Sequence, residues 1–265
     1  MKLNRRLFAT LAASALAAGL AGSALAADLA AIETAGTVKI GMLVDFPPFG
    51  VLDTAGKPDG YDADVAKALG EYLGVKTEIV PVTGPNRIPY LLSGQVDVLV
   101  ASLGITKERA EKVNFSKPYA GISIAVYGDK ATALADAAGL SGQGIAVTRA
   151  STQDTGVTKV APADADIRRF DDDASAVQAL MSGQVKLIGA SNVVMSQVNA
   201  AAGDRFDKKF DLSSQVQGIA VAPGSDALLD KINAFVAQAK SDGMLDKVHE
   251  KWLGGPLPEF VKTAE

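Results

Sequence analysis

The chain of 265 residues contains no cysteine and a single histidine, His249. Without cysteine the protein forms no disulfide bond, and it lacks the residue that carries the lipid anchor of a bacterial lipoprotein. Structural zinc sites are built from cysteine and histidine, so the composition also argues against such a site. We therefore expect neither a metal nor a cofactor, and we expect His249 to lie on the surface.

A long apolar run occurs only near the N-terminus, from residue 7 to residue 20. This run is shorter than a typical membrane span, and it ends before the small residues Ala24-Leu25-Ala26, which resemble a cleavage site. It is preceded by three basic residues, Lys2, Arg5 and Arg6. We predict that residues 1–27 form a signal peptide cleaved near Ala26 and that the mature protein is periplasmic. The Arg5-Arg6 pair leaves a twin-arginine signal open, but we favour the ordinary secretory route.

Basic residues are in the minority. Removal of the signal peptide takes away three of the 26 basic residues and none of the 30 acidic ones, so the mature net charge is −7. An acidic surface of this kind excludes nucleic acid as a natural partner. The mature chain of about 238 residues is long enough for one large domain or two of ordinary size.

Apolar runs and segments of helical periodicity alternate along the mature chain. Strands are predicted at Val38–Val44, Lys76–Val82, Val96–Val100, Ile122–Tyr127, Gly144–Thr148, near Ile167, and at Val185–Ile188 and Gln215–Ala222. Helices are predicted at Asp62–Leu73, Asn86–Ser93, Ala131–Ala138, Ser151–Val160, Ala174–Met181, Asn192–Ala201, Asp226–Lys240 and Leu245–Trp252. This alternation predicts an α/β fold with parallel strands.

The strand–helix pattern restarts after residue 127, and the last part of the chain is too helical to form a domain of its own. We therefore predict a discontinuous first lobe, residues 28–125 and 218–265, and a second lobe, residues 126–217. The strands Ile122–Tyr127 and Gln215–Ala222 then become two crossover strands that form a hinge between the lobes. Two lobes joined in this way close around a ligand by bending at the hinge.

The stretch from Ala101 to Arg109 holds a strand end, a polar turn, the helix cap Thr106 and an arginine in the first helical turn. Backbone N–H groups at a helix start and a guanidinium both bind carboxylates. The spacing therefore predicts a site for a small carboxylate at Arg109. The alternative is a surface ion pair with a neighbour such as Glu108 or Glu111.

Three further strand-to-helix connections hold candidate site residues. Phe46 can form an aromatic wall of a ligand pocket, with a place in the core as its alternative. Arg87 lies at a helix start, where a cation is unfavourable unless an anion is near, and a solvated arginine is the alternative. Ser151 and Thr152 precede a helix and can bind an anion or simply cap the helix.

Asp171-Asp172-Asp173 also precedes a predicted helix. We interpret these acids as helix caps and not as a metal cluster.

Several motifs occur in order over essentially the whole mature chain. They are Gly60-Tyr61-Asp62-Ala63-Asp64-Val65-Ala66, Asn86-Arg87-Ile88-Pro89, Leu92-Ser93-Gly94-Gln95-Val96-Asp97, Thr106 to Arg109 with Phe115-Ser116-Lys117-Pro118-Tyr119, Ala146 to Asp154, and Lys251-Trp252-Leu253-Gly254. Together they resemble the family 3 solute-binding proteins, the periplasmic receptors of polar amino-acid ABC importers. The resemblance implies a two-lobed periplasmic binding protein of type II with two crossover hinge strands, working as a monomer with a membrane permease and without catalysis.

The resemblance also implies roles for individual residues of the first lobe. Arg109 matches the arginine that binds the ligand's α-carboxylate, and Ser102 and Gly104 flank the backbone that assists it. Phe46 matches the aromatic that stacks on the ligand. Arg87 matches an arginine that lies in or near the pocket of receptors for acidic amino acids.

In the second lobe, Ser151 and Thr152 match the residues that contact the ligand carboxylate. The chain departs from the family pattern at Gly104, where a threonine or serine is usual. It departs again where an acid usually receives the α-ammonium, because Ser191 and Asn192 stand there. Either one of these two residues binds the amine, or the ligand lacks an ordinary α-amine.

The resemblance predicts a binding protein that delivers a polar amino acid to an importer. Three arginines near the predicted site, Arg87, Arg109 and Arg149, slightly favour an acidic ligand. A receptor for a small carboxylate without an ordinary α-amine is one alternative. The other is an enzyme similar to the cyclohexadienyl dehydratases of this fold, which needs a general acid with a tuned pKa. The acids available for that role, none of which stands out, are Glu33, Asp45, Asp62 and Asp154.

Overall fold

The computed structural model of the protein describes residues 27–264. The predicted signal peptide lies outside these residues except for Ala27. The strands of the described part are β1 (Thr37–Leu43), β2 (Val51–Leu52), β3 (Pro58–Asp59), β4 (Lys76–Val82), β5 (Val98–Leu99), β6 (Asn114–Asp129), β7 (Gly144–Thr148), β8 (Asp166–Phe170), β9 (Leu187–Ser191) and β10 (Phe206–Val221).

The helices surround these strands and are mostly short. They are α1 (Leu29–Ala35), α2 (Tyr61–Leu73), α3 (Arg87–Leu92), α4 (Lys107–Ala110), α5 (Thr152–Val160), α6 (Asp173–Met181), α7 (Asn192–Ala202), α8 (Asp226–Ser241), α9 (Met244–Leu253) and α10 (Glu259–Lys262). Within residues 27–264, no helix combines the length and the apolar character needed to cross a membrane.

Eight strands form one mixed sheet in the order β4-β1-β5-β10-β6-β9-β7-β8. On one side β1 pairs in parallel with β4 and β5, and on the other side β7 pairs in parallel with β8 and β9. We call β4, β1 and β5 the first half of the sheet and β9, β7 and β8 the second half. The predicted α/β fold with parallel strands is confirmed.

The two crossover strands lie between these halves. Strand β6 and strand β10 are each 16 residues long, and they pair antiparallel from Asn114–Val221 at one end to Asp129–Phe206 at the other. Both are longer than the pattern predicted, because each continues from one half of the sheet into the other. The prediction of two crossover strands is confirmed.

Two predictions of local structure are wrong. The helix predicted at Ala131–Ala138 is absent, and only a 3-10 helix, Ala137–Leu140, forms there. The carboxylates of Asp129 and Asp136 accept hydrogen bonds from backbone N–H groups two residues on, which favours turns over a continuous helix. The second wrong prediction is the surface position of His249. This residue is buried, with 8% of its surface exposed, and its Nδ1 lies 2.6 Å from the carbonyl oxygen of Gly255.

The loop after β1 is anchored by close backbone packing. Gly60, which precedes α2, adopts a φ of 123°, and a Cβ there would collide with the carbonyl oxygen of Phe49 and lie 2.8 Å from its carbonyl carbon. The backbone N–H of Asp62 donates to the same carbonyl oxygen at 2.8 Å. The side chain of Phe49 then packs on Tyr61, with ring centroids 5.1 Å apart.

We predict that Gly60→Ala lowers the free energy of unfolding by several kcal/mol, because the new Cβ adds a backbone collision to an unfavourable φ. Gly56→Ala is the matched control, since Gly56 also has a positive φ of 73° but no atom within 4 Å of a new Cβ. The control is expected to cost only about 1 kcal/mol. Urea unfolding monitored by circular dichroism measures both variants, and equal losses would contradict the prediction.

Candidate functional site

Arg109 connects the two halves of the protein. It lies in α4, whose cap Thr106 accepts a hydrogen bond through Oγ1 from the Arg109 N–H at 3.2 Å. The guanidinium donates from Nη1 to the carbonyl of Gly104 and from Nη2 to the carbonyl of Ala150, each at 2.9 Å. Because Ala150 follows β7 in the second half of the sheet, the guanidinium spans the interface between the halves.

The charge of Arg109 is poorly compensated. The pKa of Arg109 is lowered to about 9, mainly by the loss of solvent around it and also by the positive charge of Arg87, while Glu108 opposes the shift. Both hydrogen-bond acceptors of the guanidinium are neutral carbonyls, and within residues 27–264 it forms no ion pair. Since a guanidinium remains protonated, an anion bound beside it would relieve this unfavourable charge.

Arg87, unlike the half-buried Arg109, is buried, with 5% of its surface exposed. Its Nη1 donates to the carbonyl of Ala101 at 2.7 Å. Burial lowers the pKa of Arg87, while the nearby carboxylates of Asp173, Asp62 and Asp45 raise it. The structure thus excludes the solvated arginine, and the anions near this helix start belong to the protein itself.

Two of these carboxylates meet across the interface between the halves. Asp45, after β1, accepts a hydrogen bond through Oδ2 from the backbone N–H of Asp173 at 2.9 Å. Thr148, at the end of β7, donates from Oγ1 to Asp173 at 2.8 Å. Burial raises the pKa of the Asp173 carboxyl to about 7, and repulsion from Asp45 adds to the shift.

The three consecutive aspartates Asp171-Asp172-Asp173 therefore have three different structural roles. Asp172 caps α6 by accepting from the Ser175 N–H, as the sequence predicted, and Asp171 pairs with Arg149 on the surface. Asp173 instead faces the interface between the halves. No signal in the sequence indicated this role, because its partner Asp45 lies 128 residues away.

Asp62, another of the aspartates that attract the charge of Arg87, is fully buried. Tyr119 donates its hydroxyl proton to Asp62 Oδ1 at 2.7 Å, and the Ser102 N–H donates to the Tyr119 oxygen at 3.2 Å. Burial raises the pKa of Asp62 to about 7. These contacts hold Ser102 at its positive φ of 47° at the end of β5.

A cavity of about 520 Å³ lies beside Arg109 and is bordered by both halves of the protein. Arg87, Thr106 and Gly84 line it from the first half, and Ala150 and Thr152 line it from the second. The structure therefore brings three of the predicted site residues, Arg87, Arg109 and Thr152, to one cavity.

Ser151 lies next to this cavity as the cap of α5. Its Oγ accepts a hydrogen bond from the Asp154 N–H at 3.0 Å, so the capping role proposed from the sequence is present.

Gly104 lies beside Arg109, whose guanidinium donates a hydrogen bond to the Gly104 carbonyl. Phe46 is only 4% exposed and stacks on Phe49 with ring centroids 5.8 Å apart. The structure thus places Phe46 in the core, which was the alternative to a position in the wall of the ligand pocket.

Ser191 and Asn192 are not brought to the cavity of Arg109. Ser191 is fully buried and caps α7, where its Oγ accepts from the Val194 N–H at 3.2 Å. Asn192 accepts through Oδ1 from the Ser123 N–H at 3.0 Å, and it lines a different cavity together with His249. Neither residue is placed to receive the amine of a ligand held by Arg109 in this conformation.

Two βα halves, two long connecting strands and a cationic cavity bordered by both halves define a two-lobed solute receptor. A family model, bacterial extracellular solute-binding proteins, family 3, matches residues 38–255. The chain belongs to this family, which confirms the resemblance seen in its motifs.

Known proteins support the same assignment. The chain is 32% identical over 230 residues to the ABC transporter glutamine-binding protein GlnH of Bacillus subtilis (strain 168), covering 84% of this chain and 83% of that protein. It matches a solute receptor for L-cysteine of Neisseria gonorrhoeae with a TM-score of 0.81 and 33% identity, covering 86% of this chain and 94% of that one.

A third solved structure bears on the enzyme alternative. AncCDT-1, described as an ancestral amino acid-binding protein and a precursor of cyclohexadienyl dehydratase, matches with a TM-score of 0.78 and 32% identity. The match covers 84% of this chain and 98% of that one. The named relatives are binding proteins, and the predicted two-lobed binding-protein fold is confirmed.

Proposed function

We propose that this protein is the substrate-binding component of an ABC importer and that it binds a polar amino acid between its two lobes. The observation that carries the proposal is Arg109, a half-buried cation at a cavity bordered by both halves, which forms no ion pair with a carboxylate of residues 27–264. The binding of amino acids by relatives such as the glutamine-binding protein GlnH supports the substrate class.

The ligand is proposed to have a single carboxylate. Of the three arginines that favoured an acidic ligand, Arg87 forms no ion pair within the described residues but is attracted by the charges of Asp173, Asp62 and Asp45, and Arg149 pairs with the exposed Asp171. Arg109 remains as the cation free to bind an anion. One guanidinium matches one α-carboxylate, so the geometry favours a neutral polar amino acid over glutamate or aspartate.

Closure is proposed to occur by bending of β6 and β10. The first lobe would comprise residues 28–125 and 218–265, and the second lobe residues 126–217. The contacts of Arg109 with Ala150 and of Asp45 with Asp173 would then link the lobes when they meet. We propose that the mature protein works as a monomer in the periplasm, where it would deliver the amino acid to a membrane permease.

A small carboxylate without an ordinary α-amine is a second candidate ligand. Glu108 is the one carboxylate among the residues that line the cavity of Arg109, and it is exposed and paired with Lys112. An α-ammonium bound there would lack a buried acid partner. This observation favours a test in which the amine is varied while the carboxylate is kept.

The experiment is titration calorimetry of the mature protein with glutamine, cystine, arginine, histidine, glutamate and aspartate. Each of these amino acids is also compared with its 2-oxo analogue, which keeps the carboxylate and lacks the amine. We expect heat of binding with at least one amino acid and none with its 2-oxo analogue. Absence of binding to all amino acids would overturn the amino-acid proposal, and binding of only the 2-oxo acids would favour the second candidate.

A dehydratase activity is not favoured. The two acids with pKa values raised to about 7, Asp62 and Asp173, are bonded to Tyr119 and Thr148 and do not line the cavity of Arg109. We expect no product after incubation of the protein with prephenate or arogenate. Formation of the aromatic product, detected by chromatography, would contradict this.

A further inference from the structure

The space beside Gly104 is filled by a side chain from the hinge. A Cβ placed on Gly104 would collide with Oε1 of Gln215 and would lie 2.6 Å from its Cδ and 2.9 Å from its Nε2. These separations are too short for any real side chain. The carboxamide of Gln215 therefore occupies the position where residue 104 would otherwise place a side chain.

The loop that holds Gly104 is fixed to strand β10. The Ile105 N–H donates to the carbonyl of Val216 at 3.0 Å, and the Gly218 N–H donates to the carbonyl of Leu103 at 3.1 Å. These two bonds flank Gly104, so the loop cannot move away from the strand without breaking them. The backbone of Gln215 is thus held next to Gly104, within reach of its side chain.

A second glutamine, Gln217, lies nearby and makes different contacts. Gln217, two residues on, projects from the same face of the strand, is fully buried and donates from Nε2 to the carbonyl of Ser102 at 3.4 Å. Gln215 is half-buried, and no side-chain hydrogen bond within residues 27–264 involves its carboxamide. One glutamine is used to hold the loop, and the other is free to bind.

Gln215 does not itself line the cavity of Arg109 in this conformation. Its free carboxamide lies beside Gly104, and the carbonyl of Gly104 accepts the hydrogen bond from Arg109. We propose that Gln215 is a specificity-determining residue that contacts the ligand held by Arg109. Its NH₂ group can donate to a carboxylate or carbonyl, and its oxygen can accept from an amine or hydroxyl. The inference rests on the proposed function and assigns a ligand contact to the hinge strand itself.

The first test measures affinity for whichever amino acid the calorimetric panel identifies. Gln215→Ala is expected to weaken binding about tenfold, the effect of losing one hydrogen bond. Gln215→Glu is expected to weaken it further, because it places a negative charge beside the bound carboxylate. Gln238→Ala, on α8, is the matched control. If wild-type protein binds and both Gln215 variants keep its affinity and ligand preference, the inference is wrong although the proposed function stands.

The second test needs no ligand. In the wild-type background Gly104→Ala is expected to lower the melting temperature, because the methyl group must displace Gln215. In the Gln215→Ala background the same substitution is expected to cost clearly less, so the two changes are not additive. Equal costs in the two backgrounds would show that Gln215 does not occupy this space and would overturn the inference, whether or not the protein binds an amino acid.

Discussion

Replacement of Arg109 by alanine is expected to abolish measurable amino-acid binding or to weaken it by about 100- to 1,000-fold, as expected when one member of a buried, hydrogen-bonded charge pair is removed. The reason is that three aspartates attract the charge of Arg87, the other arginine at the cavity, whereas among residues 27–264 only Glu108 attracts that of Arg109. Arg109→Lys keeps the charge but loses the two parallel N–H groups that grip a carboxylate. We expect it to recover only part of the affinity.

Arg149→Ala is the matched control for this experiment. Arg149 is adjacent in sequence to Ala150, the residue that accepts a hydrogen bond from Arg109, but it is half-exposed and pairs with Asp171. Its loss is expected to leave affinity nearly unchanged. Calorimetry measures all three variants, and circular dichroism verifies that each is folded. An Arg109→Ala protein that is folded and binds as tightly as wild type would refute the assigned role.

Replacement of Arg87 by methionine is expected to destabilise the folded protein by about 3–5 kcal/mol, the cost of leaving buried charges without their partner. Asp173, Asp62 and Asp45 attract the charge of the buried Arg87, and methionine preserves most of the side-chain volume without the charge. Arg168→Met is the control, since Arg168 pairs with the exposed Asp166. A surface pair of this kind contributes about 0–1 kcal/mol.

The loss caused by Arg87→Met should depend on pH. The pKa values of Asp62 and Asp173 are about 7 in the folded protein, above their ordinary value of 3.8, so ionisation of these groups opposes folding. Without Arg87 both carboxyls should bind protons still more tightly. We therefore expect the deficit in free energy of unfolding to be large at pH 8 and smaller at pH 5. Urea unfolding at both pH values tests this, and an equal deficit would contradict it.

Most of the fold could be predicted from local pattern. The strands at Lys76–Val82 and Gly144–Thr148 were predicted to the residue. Gly144–Thr148 is a short apolar run, as is typical of a buried parallel strand, whereas Lys76–Val82 follows the helix end at Gly74 and is rich in residues that favour strands. The helix predicted at Ala131–Ala138 was wrong because the side chains of Asp129 and Asp136 accept hydrogen bonds from nearby backbone N–H groups. These bonds favour turns, although the alanines in the segment favour a helix. The crossover strands were predicted at the right places, but the predicted ranges were too short. The outer parts of β6 and β10 are stabilised by pairing with each other and are not marked by apolar residues in the sequence.

The candidate site was predicted only in part. The helix start at Thr106 and the position of Arg109 could be predicted, because a cap and an arginine in one helical turn are local features. Asp173 was missed because its cap-like context hides a contact made 128 residues away. Gln215 was missed too, because the sequence does not distinguish it from the other polar residues of β10, such as Ser214 and Gln217.

By itself, the sequence determined the class of fold, the likeness to family 3 solute-binding proteins and the arginine that can bind a carboxylate. These depend on short-range order: apolar periodicity, helix caps and motif spacing. Only the tertiary structure decided which charges are already used. Packing buries Arg87 where three aspartates attract its charge, and it leaves Arg109 with carbonyl partners alone. It also places the carboxamide of Gln215 over Gly104. A charge is satisfied by its neighbours in space, and those neighbours come from both halves of the sheet and from the hinge.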